Sequence, residues 1–384
     1  MMVTNNTTQQ EIFLFKDGYD IPVYGLANGM FYYIHISASA CLIASIICAQ
    51  ATLFLSFKSH RAGEFFTKWS KGERLVVYIS ICDGIFSAFH LMDHLQMLFT
   101  LDHVRPKALC AFYGFTMMVF FVAQILIVNV VANNVFLLVF LGKNISFGKY
   151  DSGLLIWAFG IPILGATVAA MYDQFGPMGL ACFYDAIKRH VAIMVFTTVI
   201  VAVILVTNIV LYILSFIRIR SDTMIRKQII GTNASAVRRH IQAAKRMSMF
   251  LLAFVVQWWC LGLCGAWSLF VDSQLEVPEI LNYFVVIFTN LGGVLNLAVY
   301  LLVFRNKIRK FKSEPQQMEN KITDDPQQAL AEANASIKQL EDYPKPASET
   351  MFKIADEIAK NSKVFYLVFM FDVPFLMLTI SNLL

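Results

Sequence analysis

Charged residues are scarce in this chain of 384 residues, where Asp, Glu, Lys and Arg make up 15% and hydrophobic residues 58%. This composition excludes a soluble globule of that size, because too few polar side chains remain to cover its surface. No basic stretch followed by a small-residue cleavage site precedes the first apolar run, so the sequence predicts no cleaved signal peptide. The surface of the folded chain is therefore expected to face lipid.

Seven long apolar runs dominate the sequence instead. Each approaches or exceeds the roughly 20 residues that an α-helix needs to cross a hydrocarbon layer about 30 Å thick. Inside lipid a helix satisfies its own backbone polar groups, which an isolated strand cannot do. The predicted fold class is an all-α membrane protein built as a bundle of seven transmembrane helices. The predicted spans are Phe31–Phe57, Leu75–Leu98, Leu109–Leu141, Leu154–Met171, Val191–Ile217, Met247–Val271 and Ile280–Phe304.

Basic residues give the orientation of these spans. The loops after spans one, three, five and seven together hold 20 Lys and Arg, whereas the N-terminal segment and the other loops hold 5. Because short cytoplasmic loops carry the excess of basic residues, the N-terminal segment 1–30 is predicted to be extracellular. The net charge of +5 follows from this topology and gives no support for binding nucleic acid.

Two of the seven cysteines fall at the predicted outer face, Cys110 at the start of span three and Cys182 between spans four and five. That side is oxidising, and a bond between them would tie the outer end of the third helix to the loop above it. We predict this disulfide, the alternative being two unpaired thiols. On the same side, Asn5 and Asn6 form overlapping acceptor sequons and are predicted glycosylation sites.

Spans four and seven carry motifs of a known superfamily. Span four contains Trp157 and Pro162, and span seven contains Asn296 and Tyr300 shortly before a basic run. With these motifs the sequence resembles the G-protein-coupled receptor superfamily over residues 31–312. Within that superfamily the combination resembles the cyclic-AMP-receptor-like and secretin-like branches.

Three departures separate the sequence from rhodopsin-type receptors. The acid-arginine pair near the inner end of helix three is replaced by Asn133 and Asn134. The Cys-Trp-x-Pro motif of helix six is replaced by the run Gln257–Cys260, which contains no proline, and the Asn-Pro pair of helix seven becomes Asn296 followed by Leu297. A member of a branch that is not rhodopsin-like is therefore expected.

The resemblance implies a plasma-membrane receptor that transmits the binding of an unknown extracellular ligand to a heterotrimeric G protein, without a cofactor, a catalytic site or a structural metal. Basic extensions of helices five and six resemble the surface that engages a G protein. The alternative for these residues is attraction to anionic membrane lipids. The basic residues are Arg218, Arg220, Arg238, Arg239, Lys245 and Arg246.

Other seven-helix functions remain open or are disfavoured. A transporter, or a channel for cations or protons, is the main alternative. A retinal protein needs a Schiff-base lysine in helix seven, yet Ile280–Phe304 contains no lysine. An intramembrane enzyme is disfavoured because the polar residues form no Ser-His or paired-Asp motif and complete no metal site.

Ionisable residues in the spans are costly and are therefore candidates for function. His90 and His94 follow Asp83 by seven and eleven positions, which places the three within about 20° of one helix face. We predict that Asp83 binds sodium or a proton, with Asn296 as its partner and Tyr300 in the same switch. The histidines could contact ligand or sense pH. Interhelical hydrogen bonding is the alternative for all of them.

Gln124 and Trp258 lie near the middle of their spans and are predicted to line a ligand cavity. After span seven, residues 305–313 alternate basic and apolar side chains, which predicts an amphipathic helix on the inner leaflet. Residues 314–363 are rich in Pro, Gln, Glu and Asp and are expected to form a flexible cytoplasmic tail. The apolar segment 364–384 is a possible eighth crossing.

Overall fold

Nearly all of the chain that the computed structural model describes is helical, and these described residues are 15–59, 61–141, 145–188, 199–229, 235–267 and 277–313. The predicted glycosylation sites Asn5 and Asn6 and the segments 314–363 and 364–384 lie outside them. The main helices are α1 (Met30–Ser59), α2 (Lys71–Thr100), α3 (Lys107–Leu141), α4 (Lys149–Met171), α5 (Ile200–Ile229), α6 (Ser235–Trp267), α7 (Glu279–Thr289) and α8 (Gly292–Ser313).

These helices confirm the predicted multi-pass membrane bundle. Six of them, α1 to α6, are each long and apolar enough to cross a membrane, and the pair α7 and α8, bent by 48°, is long and apolar enough to count as a seventh. Residues 305–313 are helical as expected, but they continue α8 without a break. In the most apolar stretch of each span, 83% of the residues are buried in α3 and 22% in α5. Helix α3 is therefore largely buried, whereas most of the apolar stretch of α5 is exposed.

The fourth span changes its helical form along its length. A short 3₁₀ turn, Lys149–Asp151, is followed by an α-helical turn and then by a π-helical stretch, Ile156–Gly160. The α-helix resumes at Ile161 with Pro162 in its first turn. Proline has no amide proton and its ring crowds the carbonyl four residues earlier, so a widened turn before Pro162 relieves both constraints.

The chain forms two compact units. The first comprises Met1–Val131, Phe147–Ile209 and Phe250–Tyr300. In it, α1 packs along α2, and Ile34, Ala38 and Leu42 of α1 form an apolar cluster with Val286 of α7. The second unit comprises Ala132–Ser146, Val210–Met249 and Leu301–Leu384. In it, the side chain of Asn134 accepts a hydrogen bond from the Ile145 amide at 2.9 Å.

A buried ion pair fixes the start of α4 against α2. Asp151 accepts two hydrogen bonds from the Arg74 guanidinium, at 2.6 and 3.0 Å, and one from the Tyr78 hydroxyl at 3.0 Å. Arg74 also donates to the Trp69 carbonyl at 2.7 Å. The α2 helix itself begins with a capping box, in which Ser70 and Glu73 satisfy each other's backbone amides. The loops at this end of the helices are thus fixed by charged and polar side chains.

A small hairpin between α4 and α5 confirms the predicted disulfide. Strand β1 (Phe175–Pro177) pairs antiparallel with β2 (Cys182–Tyr184), and Cys182 is bonded to Cys110 of α3. One turn along α3, Gly114 allows β2 to lie close, because a Cβ at this position would approach the Phe183 carbonyl oxygen to 2.6 Å. The hairpin therefore packs directly on the backbone of α3.

The segment before α1 is tied to these outer loops. The Gly18 amide donates to the Asp185 carboxylate at 2.8 Å, and the Tyr19 hydroxyl donates to the Val104 carbonyl at 2.8 Å. Farther along, the Tyr24 amide donates to the Gly179 carbonyl at 3.1 Å. This segment thus joins the loop between α2 and α3 to the loop that carries the hairpin.

Candidate functional site

Asp83 lies at the centre of a buried polar network. Its side chain is 2% exposed and accepts a hydrogen bond at each carboxylate oxygen. Gln124 of α3 donates to Oδ1 at 2.8 Å, and Asn296 of α8 donates to Oδ2. The structure therefore brings together two of the three residues of the predicted switch. Tyr300, the third, is buried on α8 one turn beyond Asn296.

Gln257 of α6 extends this network to the bend in the seventh span. Its Oε1 accepts from Gln124 at 3.2 Å, and its Nε2 donates to the Thr289 carbonyl at 3.1 Å. Thr289 is the last residue of α7, where the break before α8 leaves carbonyl groups without helical partners. Four side chains thus connect α2, α3, α6 and α8 around the buried Thr289 carbonyl of α7. We call Asp83, Gln124, Gln257 and Asn296 the amide network.

Two glycines at the start of α8 allow this close packing. A Cβ at position 292 would lie 2.5 Å from both Asp83 Oδ1 and Gln257 Nε2. At position 293 a Cβ would overlap the carbonyl oxygen of Ser45 on α1. The Ser45 hydroxyl accepts a hydrogen bond from the Gly293 amide at 2.8 Å. Any side chain at either position would push α8 away from the amide network or from α1.

The predicted polar stripe on α2 divides between two sites. Asp83 belongs to the amide network, whereas the His90 and His94 rings pack against each other at a tilt of 33°, with centroids 4.5 Å apart. His94 also meets His35 of α1, and their Nδ1 atoms are 2.7 Å apart. We call His35, His90 and His94 the histidine cluster. His35 escaped the sequence reasoning because helical spacing relates residues of one helix and says nothing about its neighbour.

The predicted cavity residues are packed tightly. Trp258 is 1% exposed, and its ring lies edge-on to Phe121 of α3 at a centroid distance of 4.7 Å. Gln124 is taken up by the amide network. Asn129 of α3 donates to Asn208 of α5 at 3.0 Å farther along the bundle. Trp258 and Gln124 therefore form part of the interior in this conformation.

Asp93 is a buried acid that sequence reasoning did not select. It is 0% exposed, and its Oδ2 accepts a hydrogen bond from the Cys182 amide at 2.9 Å. On the same face, Lys107 forms an ion pair with Asp17 at 2.5 Å, and this contact lowers the pKa of the Asp17 carboxyl. The only sequence signal for Asp93 is its charge within an apolar span.

The predicted G-protein contacts fall largely outside the described side chains. Arg218 of α5 is described and half-buried, and its guanidinium lies over the Phe140 ring at 5.9 Å. Across the residues whose side chains are described, no three His, Cys, Asp or Glu residues are arranged to hold a metal ion. The backbone positions of the remaining contacts are on α5 and α6: Arg220, Arg238, Arg239, Lys245 and Arg246.

The described helices form a multi-pass membrane bundle with six candidate spans, or seven if the bent pair of α7 and α8 is one span. The structure is similar to the crystal structure of squid rhodopsin, with a TM-score of 0.53 and 14% sequence identity over 83% of this chain and 93% of that one. At this identity the likeness concerns the fold. No family model matches the sequence, and no curated protein matches it either.

Proposed function

We propose that this chain is a G-protein-coupled receptor of the plasma membrane, with residues 1–30 extracellular. It binds an extracellular ligand and transmits that event to a heterotrimeric G protein. The observation that carries this proposal is the amide network, buried at the bend of the seventh span in a fold shared with squid rhodopsin. Assignment to the cyclic-AMP-receptor-like or secretin-like branch remains a prediction.

The amide network supplies the switch in this proposal. Each hydrogen bond in it joins two different helices, so a shift of any one helix must break a bond or exchange its partner. Sodium or a proton bound at Asp83 would compete with the amide donors of Gln124 and Asn296 for the same oxygens. Binding there would therefore loosen α2 from α3 and α8, which makes Asp83 the point where two bundle arrangements can be exchanged.

Helix α6 carries the change toward the cytoplasm. It contains Gln257 and, eleven residues earlier, Arg246, a distance of about 16 Å along the helix axis. When Gln257 leaves the Thr289 carbonyl, α6 is free to turn about its axis. Such a turn displaces the basic residues near its start, which offer a positively charged surface to the G protein.

A panel of Gα activation sensors in cells tests the proposal. The wild-type chain should give basal or ligand-driven coupling to at least one Gα class. Replacing Arg238 and Arg239 of α6 by Glu should reduce that coupling at least about tenfold, because two attractive contacts become repulsive. The control replaces Arg61 and Lys68, on the same predicted cytoplasmic side, by Glu and should keep the wild-type response.

Absence of coupling to every Gα class by a chain shown to reach the cell surface would contradict the receptor proposal. The broken seventh span beside a buried carboxylate is the observation that favours the alternative, a pathway for cations or protons. Voltage-clamp recording across a pH step distinguishes the two. A current that disappears in the Asp83→Asn variant would contradict the receptor proposal and support the pathway for cations or protons.

A further inference from the structure

The histidine cluster joins α1 to α2 through a contact that depends on protons. His35 is 0% exposed and His94 is 1% exposed, and their rings meet at 71° with Nδ1 atoms 2.7 Å apart. A neutral imidazole has one nitrogen that donates and one that accepts. The contact therefore needs one Nδ1 with its proton and the other without it.

Protonation of both rings destroys this contact. Each imidazolium carries protons on both nitrogens, so His35 Nδ1 and His94 Nδ1 would face each other as two donors. Within the described part of the chain, the Nε2 atoms of both rings are buried and have no hydrogen-bond partner. In the ring whose Nδ1 donates, a proton added at Nε2 finds no acceptor in this arrangement. In the other ring, Nε2 already carries the proton, and a second one at Nδ1 would face the first donor. The two helices must move apart, or the rings must turn, before the pair can be fully charged.

His90 adds a third titratable ring to the same place. It lies one turn before His94, and its ring is inclined by 33° to the His94 ring at a centroid distance of 4.5 Å. Phe86 packs edge-on against the other side of His90 at 5.3 Å. A positive charge on His90 of α2 repels one on His35 of α1, so a proton on His90 also favours separation of the two helices.

Compensation for positive charge comes from the neutral side-chain amide of Asn290, which lies within hydrogen-bonding reach of His90. Around His35 the surroundings are apolar. Phe31 covers His35 with a ring-centroid distance of 4.3 Å. The carboxyl group nearest in sequence belongs to Asp93, whose Oδ2 already accepts from the Cys182 amide. The titratable groups in the apolar clusters around this contact are otherwise phenols, namely Tyr113 of α3, Tyr283 of α7, and Tyr19 and Tyr24 of the segment before α1.

The cluster lies close to one end of both helices. His35 is five positions after the first residue of α1, and His94 is six positions before Thr100, the last residue of α2. Each is therefore about 7 to 9 Å from its helix end along the axis. With residues 1–30 outside, this is the extracellular end. Protons from the extracellular side thus have only a short distance to travel.

The geometry points to the proton as a ligand of this chain: acid on the extracellular side charges His35, His90 and His94 and separates the outer ends of α1 and α2. The site itself stands without the proposed function. Its consequence for signalling rests on the proposed function, because separation of α1 from α2 then biases the receptor equilibrium. Histidine is the side chain that ordinarily changes charge between pH 5 and 8.

Thermal unfolding of the purified full-length chain in lipid nanodiscs, measured from pH 8 to pH 5, tests the site directly. The wild-type midpoint should fall on acidification, because the unfolded chain binds protons at these histidines that the paired arrangement excludes. A chain with His35→Asn and His94→Asn keeps side-chain amides that can bond at any pH in this range. It should lose at least about half of the acid-induced shift. His103→Asn, which removes a histidine outside the cluster, should keep the whole shift.

Nitrogen-15 spectra of the histidine side chains in the wild-type chain give a second readout that needs no variant to fold. The ring nitrogens of His35 and His94 should change from a hydrogen-bonded neutral pair to doubly protonated rings as the pH falls. Resonances that stay unchanged from pH 8 to pH 5, or a double variant with the wild-type shift in midpoint, would overturn the proton site.

Cell measurements separate this inference from the proposed function. In Gα sensor cells an acid pulse should change coupling by the wild-type chain, and His35→Asn with His94→Asn should reduce this change at least about fivefold. If the purified chain shows the proton-dependent shift but no sensor responds in any variant, the proton site stands and the receptor function falls. If sensors respond to acid equally in wild type and double variant, the site is not the sensor.

Discussion

Removing the arginine of the buried ion pair should destabilise the protein strongly. In the Arg74→Met chain, Asp151 loses the two hydrogen bonds from the guanidinium and keeps the one from the Tyr78 hydroxyl. The side chains of the pair are 10% and 3% exposed, so water cannot replace the guanidinium. Leaving one partner of a buried pair unpaired costs about 3 to 5 kcal/mol. At about 2 °C per kcal/mol for a larger domain, the melting midpoint should fall by about 6 to 10 °C.

Two matched variants make the measurement specific. Lys68 pairs with Glu64 at 2.7 Å, but its side chain is 69% exposed, so Lys68→Met should cost less than about 1 kcal/mol. Combining Arg74→Met with Asp151→Leu should recover most of the lost stability, because an apolar pair avoids the desolvation of both charges. The assay is thermal unfolding in nanodiscs at pH 7.5. An Arg74→Met midpoint within about 2 °C of wild type would refute the reasoning.

Two further predictions concern the close packing of α8 and the ion pair at the outer face. Gly293→Ala should lower the free energy of unfolding by about 1 to 3 kcal/mol, because its methyl group would overlap the Ser45 carbonyl. Gly72→Ala is the control and should be neutral or stabilising, because the space around its Cβ position is open. An equal effect of both substitutions would contradict this packing. The hydrogen bond from Lys107 lowers the pKa of Asp17 below 3.8. The pair therefore stabilises the segment before α1 above that pH, and this stabilisation is lost as the pH falls through the folded-state pKa. Below about pH 4 an acid protease should accordingly cleave that segment as fast in the wild type as in Asp17→Asn. At neutral pH a neutral protease should cleave it faster in Asp17→Asn than in the wild type.

The spans and the disulfide were predictable because they depend on physics that acts along the chain. Lipid sets the length and the apolar character of each span, and topology separates Cys110 and Cys182 from the five cysteines within the spans. The pairing of Asp83 with Asn296 also followed, because both are polar groups near mid-membrane that must avoid lipid. These predictions needed no knowledge of which helix faces which.

The other contacts depend on how the helices pack, which no local pattern encodes. Nothing in the residues around His35 indicates that its ring meets His94. The partner of Arg74 is Asp151, which lies 77 positions later in a turn with a left-handed backbone conformation. Gln257 acquires its role only because α7 ends at Thr289 and leaves a carbonyl free. Sequence reasoning thus identified polar residues of the candidate site, while packing determined their partners.

The hairpin strand β2 is attached twice at a single residue. The sulfur of Cys182 is bonded to Cys110 of α3, and the amide of the same residue donates to Asp93 of α2. Reducing agents remove only the first of these attachments. The chain should therefore keep its hairpin docked in a mild reductant, so its tolerance of reduction is controlled by the carboxylate of Asp93 as well as by the sulfur bond.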